Sequence, residues 1–337
     1  MMNDKKEIEL IDEVTKDPYN LQKIKDQSEA VCLAAVSNDG LVLQYVNNQS
    51  KNICIEAIKQ NASALIYVKH QDEDLCLLAV KEDGYAIQYV KDQTEEICIA
   101  AVKQNIQSLK FVKDQTEKIC LEAINSNPIA IKYVNDQTEE LSLKAVKLNP
   151  LVIEHIKDQN ERICLEAVKR DGYAIKHIKD QTYKIFLEAI KTNYSALLGV
   201  NVQTEEMAVA SVELHWNTLM YVNDQTEKVC LAAIKNNPQA IKYIRHDKDK
   251  TKRVCEVALK KDWNMLNYMN LKDKSYFIIA LKAMLVHESK DVDFLNKTIQ
   301  KFSKYKQFRN FYSKHNLWKY VDFNKLDNKL TKYSMTL

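Results

Sequence analysis

The sequence predicts an all-α fold, a right-handed α-solenoid of about twelve 22-residue helix-turn-helix repeats closed by a helical C-terminal cap. Three observations predict it. Glutamine recurs every twenty-two residues, at Gln27, Gln49, Gln71, Gln93, Gln115, Gln137, Gln159, Gln181, Gln203 and Gln225, without a slip in register. A fixed period on this scale marks stacked units that are too short to close a core alone and must bury one another's apolar faces. Cysteine keeps the same period from Cys32 to Cys230, with Cys255 displaced by three inserted residues near Lys248. Each period also carries two helix-start signals.

The array begins before the first glutamine. Val14, Pro18, Leu21 and Ile24 fall in register, so residues 1–26 read as an N-terminal capping repeat and 27–285 as the solenoid proper. In the repeat Thr94 to Gln115, the first helix starts at a column holding Ser28, Ser50, Asp72, Thr94, Thr116, Thr138, Asn160, Thr182, Thr204, Thr226 and Thr251. Each of these side chains can accept a hydrogen bond from an orphan amide, as an N-cap does. Glutamate usually follows and lysine usually closes the segment, matching the two ends of the helix dipole. Ile97, Cys98, Ala101 and Val102 share one face at 3.6 residues per turn and form the expected core seam. The Ala101 position is alanine in ten of eleven full repeats, Ser211 being the exception. A larger side chain there is expected to overpack the seam.

The second helix starts at Asp39, Asn61, Asp83, Asn105, Asn127, Asn149, Asp171, Asn193, Asn237 and Asp262, followed in three repeats by Pro128, Pro150 or Pro238. Its aliphatic column, with Leu43, Leu65, Ile87 and Leu109 as its first members, is unbroken. It is about two turns long, so α and 3₁₀ geometry are both open to it. About twelve stacked units at ~9 Å each predict a superhelix on the order of 100 Å.

Residues 286–337 differ in kind and are read as a basic, aromatic-rich helical cap. From Asn296 to Leu337 there are ten Lys or Arg against two Asp, whereas the whole chain has a net charge of only +3. Leu295, Ile299, Phe302 and Tyr305 keep helical spacing, as a terminal cap requires. Basic plus aromatic composition is also what single-stranded nucleic-acid surfaces use. The alternative to a structural cap is therefore nucleic-acid (RNA) binding led by Lys301, Lys304, Lys306, Arg309, Lys314 and Lys319.

The bulk composition, 46% hydrophobic and 28% charged, is that of an ordinary globular chain. The charged opening Met1 to Leu10 and the short apolar stretch Phe277 to Val286 predict neither secretion nor membrane spanning, and a cytoplasmic monomer is the expectation. The eight cysteines form one column that also accepts Ser142, Phe186 and Ala208, which fits core packing and not disulfides or a metal site. The uniform glutamines are expected to tie one layer's backbone to the next through amide hydrogen bonds. An aromatic column runs Tyr45, Tyr67, Tyr89, Phe111, Tyr133, His155, His177, Gly199, Tyr221, Tyr243 and Tyr268. Its histidines are expected to be partly buried and hydrogen-bonded, and Phe186 is expected to restore the volume lost at Gly199. Residues 186–220, with His215 at a cap position and Trp216 beside it, are the least regular stretch and mark a kink or a partner site.

No phosphate-binding glycine loop, nucleophile elbow or paired-cysteine zinc spacing is present. The chain is therefore expected to be non-enzymatic, with no catalytic, cofactor-binding or metal residues. The leading expectation is a scaffold that binds a protein partner through variable outward positions around Gln88, Ala100 and Gln107, with Trp216 as a further contact.

The phrase running from Tyr89 to Asn105, Tyr-Val-Lys-Asp-Gln-Thr-Glu-Glu-Ile-Cys-Ile-Ala-Ala-Val-Lys-Gln-Asn, resembles tandem repeats of an uncharacterised domain family abundant in giant amoeba-infecting (mimivirus-like) DNA viruses and some bacteria. The resemblance covers about residues 5–270. It implies a viral protein acting in host cytoplasm and supplies no activity and no functional residue.

Overall fold

The computed structural model describes residues 4–245, 251–269, 275–286 and 314. Among these residues are thirteen α-helices and twelve 3₁₀ helices, and no strand. The expected C-terminal cap lies outside the described residues apart from positions 286 and 314. The all-α repeat array is as the sequence predicts, and the open choice for the second helix falls to 3₁₀ in every repeat.

The residues form two compact units. The first runs up to Arg170 and includes His177–Lys179. It contains the α-helices from Asp4–Lys16 to Glu161–Arg170 and the 3₁₀ helices from Pro18–Lys23 to Pro150–His155. The second takes Asp171–Lys176 and the residues from Asp180 onward, with α-helices from Tyr183–Thr192 to Ser275–Val286.

One repeat shows why these residues form these elements. Thr94 has extended backbone and its hydroxyl accepts from the Ile97 amide, starting the α-helix Glu95–Gln104. Asn105 stops that helix by donating its own amide to the Ala101 carbonyl, and its side chain accepts from the Gln107 amide to start the 3₁₀ helix Ile106–Phe111. One extended residue therefore serves as C-cap and N-cap together. The second segment has six residues between two extended caps, and its buried Leu109 and the following Val112 stand three apart. Six residues make two turns at three per turn, and the Val112 amide closes the segment on the Leu109 carbonyl three residues back, the hydrogen-bond pattern of a 3₁₀ helix.

Ile97, Cys98, Ala101, Val102 and Leu109 are all at most 2% exposed. The small column at Ala101 lets the neighbouring backbone approach closely. Gly84, which opens the preceding 3₁₀ helix, donates its amide to Gln104 Oε1 at 2.7 Å, and a Cβ there would lie 2.6 Å from the Ala101 carbonyl oxygen. Two buried hydroxyls, on Ser108 and Ser142, have no hydrogen-bond partner; Ser142 stands where most repeats carry cysteine. Phe186 is fully buried, as expected. At Gly199, however, the nearest atoms to an added Cβ belong to Ile175 and Lys176, 3.1–3.3 Å away. A side chain at 199 would therefore press on the preceding 3₁₀ helix.

Candidate binding surface

Most of the regular columns are consumed in joining one repeat to the next. Gln115 donates through Nε2 to the Leu109 carbonyl at 2.7 Å and the Tyr133 carbonyl at 3.2 Å, while Oε1 accepts from the Asn135 amide at 2.8 Å. The same three bonds recur at Gln27, Gln49, Gln71, Gln93, Gln137, Gln159, Gln181, Gln203 and Gln225. The glutamine column is thus the backbone tie that its uniformity predicts. Its Nε2 donors and its Oε1 are engaged by main chain, with the Cys32 and Cys76 thiols also on the Gln27 and Gln71 oxygens, so the column is not disposed to read a ligand.

Two further ladders were not read from the sequence. Lys113 Nζ reaches back to the Lys91 carbonyl at 2.8 Å, and Lys69, Lys157 and Arg245 likewise each reach the carbonyl of the residue twenty-two positions earlier. The signal was the Lys, Arg or Asn column two residues after the aromatic one. The glutamate that opens an α-helix accepts from the N-cap hydroxyl of the following repeat, as in Ser50 to Glu29 at 2.6 Å and Thr226 to Glu205 at 2.7 Å. The Thr226 hydroxyl, and then the Lys228 ammonium, hold the Glu205 carboxyl below its usual range. Amide donation from Leu75 and the Lys51 ammonium do the same for Asp72.

All eight cysteines are buried and none forms a disulfide. Burial pushes the Cys32 and Cys76 thiols up to about 11, the opposite of what a reactive thiolate needs. Among the described residues no group of three or more His, Cys, Asp or Glu side chains is placed to hold a metal ion. The two histidines of the aromatic column share Glu154: His155 Nε2 lies 3.3 Å from one carboxylate oxygen and His177 Nδ1 lies 3.2 Å from the other. Their side chains are 22% and 27% exposed, partly buried and paired as expected. No helix among the described residues is long and apolar enough to cross a membrane.

Of the expected partner contacts, Gln88 and Gln107 are exposed and converge on Tyr85. The Tyr85 hydroxyl donates to Gln107 Oε1 at 2.8 Å and its carbonyl accepts from Gln88 Nε2 at 3.1 Å. Ala100 is half-exposed on the α-helix Glu95–Gln104 instead. Trp216, in the second unit, is half-buried with its ring 5.7 Å from that of Tyr243. Lys314 is exposed; Lys301, Lys304, Lys306, Arg309 and Lys319 lie outside the described residues.

The chain is similar to a domain of unknown function (DUF4116). The match covers residues 28–71, 72–117 and 138–182, so each matched stretch holds two of the 22-residue repeats. No curated protein and no solved structure matches the chain.

Most of the described 3₁₀ helices carry aromatic rings. Tyr19 meets Tyr45 edge to face at 6.1 Å, Tyr85 meets Phe111 at 5.8 Å, and Lys110 Nζ stands 4.7 Å from the centre of the Tyr133 ring. Across the twelve described 3₁₀ helices the charged side chains are Lys23, Lys110, Lys132, Lys176 and Lys242 against a single carboxylate, Glu154. The carboxylates concentrate at the α-helix starts, where they bond the next repeat. Within each unit the 3₁₀ helices therefore carry more cations than carboxylates beside their aromatic rings.

Proposed function

We propose that the protein is a non-enzymatic repeat scaffold that binds another protein through outward positions of its helical array. The observation that carries this reading is the bonding of the uniform columns. Glutamine and cap residues are engaged between or within repeats and the thiols are buried, so variation is left to outward side chains such as Gln88, Ala100, Gln107 and Trp216. Stacked helical repeats offer such surfaces by construction. A cytoplasmic monomer, and on the resemblance of its repeats a viral protein in host cytoplasm, belongs to the same reading.

Affinity purification of the full chain from cytoplasmic extract tests it. The expected outcome is a stoichiometric protein partner whose recovery falls when Gln88, Gln107 and Trp216 are replaced together by alanine. A second reading rests on the charge segregation of residues 296–337: nucleic-acid binding through Lys301, Lys304, Lys306, Arg309, Lys314 and Lys319. It requires affinity for single-stranded RNA that falls steeply with salt and disappears when these six become glutamine.

A further inference from the structure

Deepening the scaffold reading, on which it rests, we propose that the 3₁₀ face of the second unit between Lys176 and Lys242 docks an extended segment of another protein, with bulky apolar side chains bracketed by carboxylates. The fifth residue of each 3₁₀ helix is normally polar or charged: Gln44, Gln88, Lys110, Lys132, Glu154, Lys176 and Lys242. Ile66 is an isolated departure between Gln44 and Gln88. Leu198 and Met220 are consecutive departures, 61% and 45% exposed. Tyr194, 43% exposed, stacks on Tyr221 at 6.3 Å and extends the same uncharged surface. Neither Tyr194–Gly199 nor Trp216–Tyr221 contains a charged residue. Single exposed apolar residues are ordinary, but two in consecutive repeats, at a position that is otherwise polar or charged apart from Ile66, with exposed Tyr194 beside them, mark an interaction site.

The ends of the patch decide the chemistry of the occupant. Lys176 Nζ lies 5.6 Å from the centre of the Tyr173 ring, and Lys242 Nζ lies 4.9 Å from that of Tyr268. Each ammonium is held by a ring, leaving its charge for an incoming carboxylate. The two lysines stand three repeats apart, roughly 25–30 Å at 8–10 Å per layer. About eight extended residues span that gap, whereas a helix would need about eighteen, with the ordering cost of every added residue. A nucleic-acid strand fits worse, because it would lay a phosphate every few ångströms across the uncharged middle.

A random dodecapeptide library displayed on phage and panned against the full-length protein tests the assignment. The expected selection is of peptides with clustered Leu, Ile, Phe or Trp flanked on both sides by Asp or Glu. A synthetic copy of a selected peptide should lose at least about ten-fold in affinity against L198E/M220E. Lys176→Ala and Lys242→Ala should each weaken it several-fold and flatten its salt dependence. Leu198 and Met220 are exposed, so unchanged circular dichroism and thermal midpoint verify that L198E/M220E is folded. Panning that enriches nothing, or peptides that bind L198E/M220E as well as the parent, overturns the proposal. So does polyuridylate binding that is lost in the same variant. A cellular partner still captured by L198E/M220E would remove this surface and leave the scaffold reading standing, whereas capture of no protein at all would remove the scaffold reading itself.

Discussion

At the scale of single residues, the glutamine ladder converts one side chain into three hydrogen bonds, one within its repeat and two to the next. Gln115→Leu keeps the volume and deletes all three, leaving the Asn135 amide and two carbonyls to water or to nothing. We expect a loss of about 1–3 kcal/mol, read as a lower urea midpoint with an unchanged slope. The thiols make a pH prediction. Their folded pKa values are raised, so as pH climbs the unfolded chain releases its thiol protons first, and the folded state binds more protons. Stability from Cys32 and Cys76 is intact below about pH 9 and falls as pH approaches about 11, by up to about 1.4 kcal/mol per pH unit for each thiol. Urea titrations at about pH 8 and about pH 10 should show the decline, and replacing both cysteines by alanine should make it shallower. Both residue roles were legible in the sequence, because a column that is uniform, or that tolerates serine and phenylalanine, is structural. The Lys113 and Glu205 ladders were not legible, because surface charges in a favourable helix-dipole pattern already look explained.

At the scale of elements, both helices of each repeat were announced by their caps, and the second helix type was not. Asn105 or Asn127 with its proline starts α and 3₁₀ segments alike. The difference lies in where Val112 or Val134 turns the chain back to extended backbone after six residues. Among the described residues, one 3₁₀ helix, Trp216–Tyr221, has no side-chain cap and supplies a test. His215 has φ −140° and ψ 97°, close to the −142° and 110° of Asp39, yet its ring accepts no amide. His215→Asn should place an acceptor before the Asn217 amide and stabilise the fold by about 0.5–1 kcal/mol, raising the melting midpoint. A midpoint that falls would show that the contact of His215 with Tyr194, 6.1 Å between ring centres, outweighs the cap.

At the scale of the molecule, a stack whose repeats bond mainly their neighbours should tolerate loss of a whole repeat and not of half. Deleting Thr94–Gln115 joins Gln93 to Thr116 and restores every column. The shortened protein should keep its helical signal per residue and unfold with a smaller urea slope. Deleting only Thr94–Gln104 removes the α-helix and destroys the register, so the helical signal should collapse. The repeat itself was legible because its period holds without a slip from Gln27 to Gln225. The apolar patch was only half legible: residues 186–220 stood out as irregular, but composition could not separate the buried Phe186 from the exposed Leu198. Burial in a stack depends on which turn faces a neighbour.

The glutamine ladder also fixes what hydrolysis of a single amide would do to the array. Amide hydrolysis at any one rung would exchange an NH₂ that grips two carbonyls for a negative oxygen pressed against them, turning adhesive into wedge. With ten such rungs, the array has ten places at which a single exchange of this kind would break the joint between neighbouring repeats.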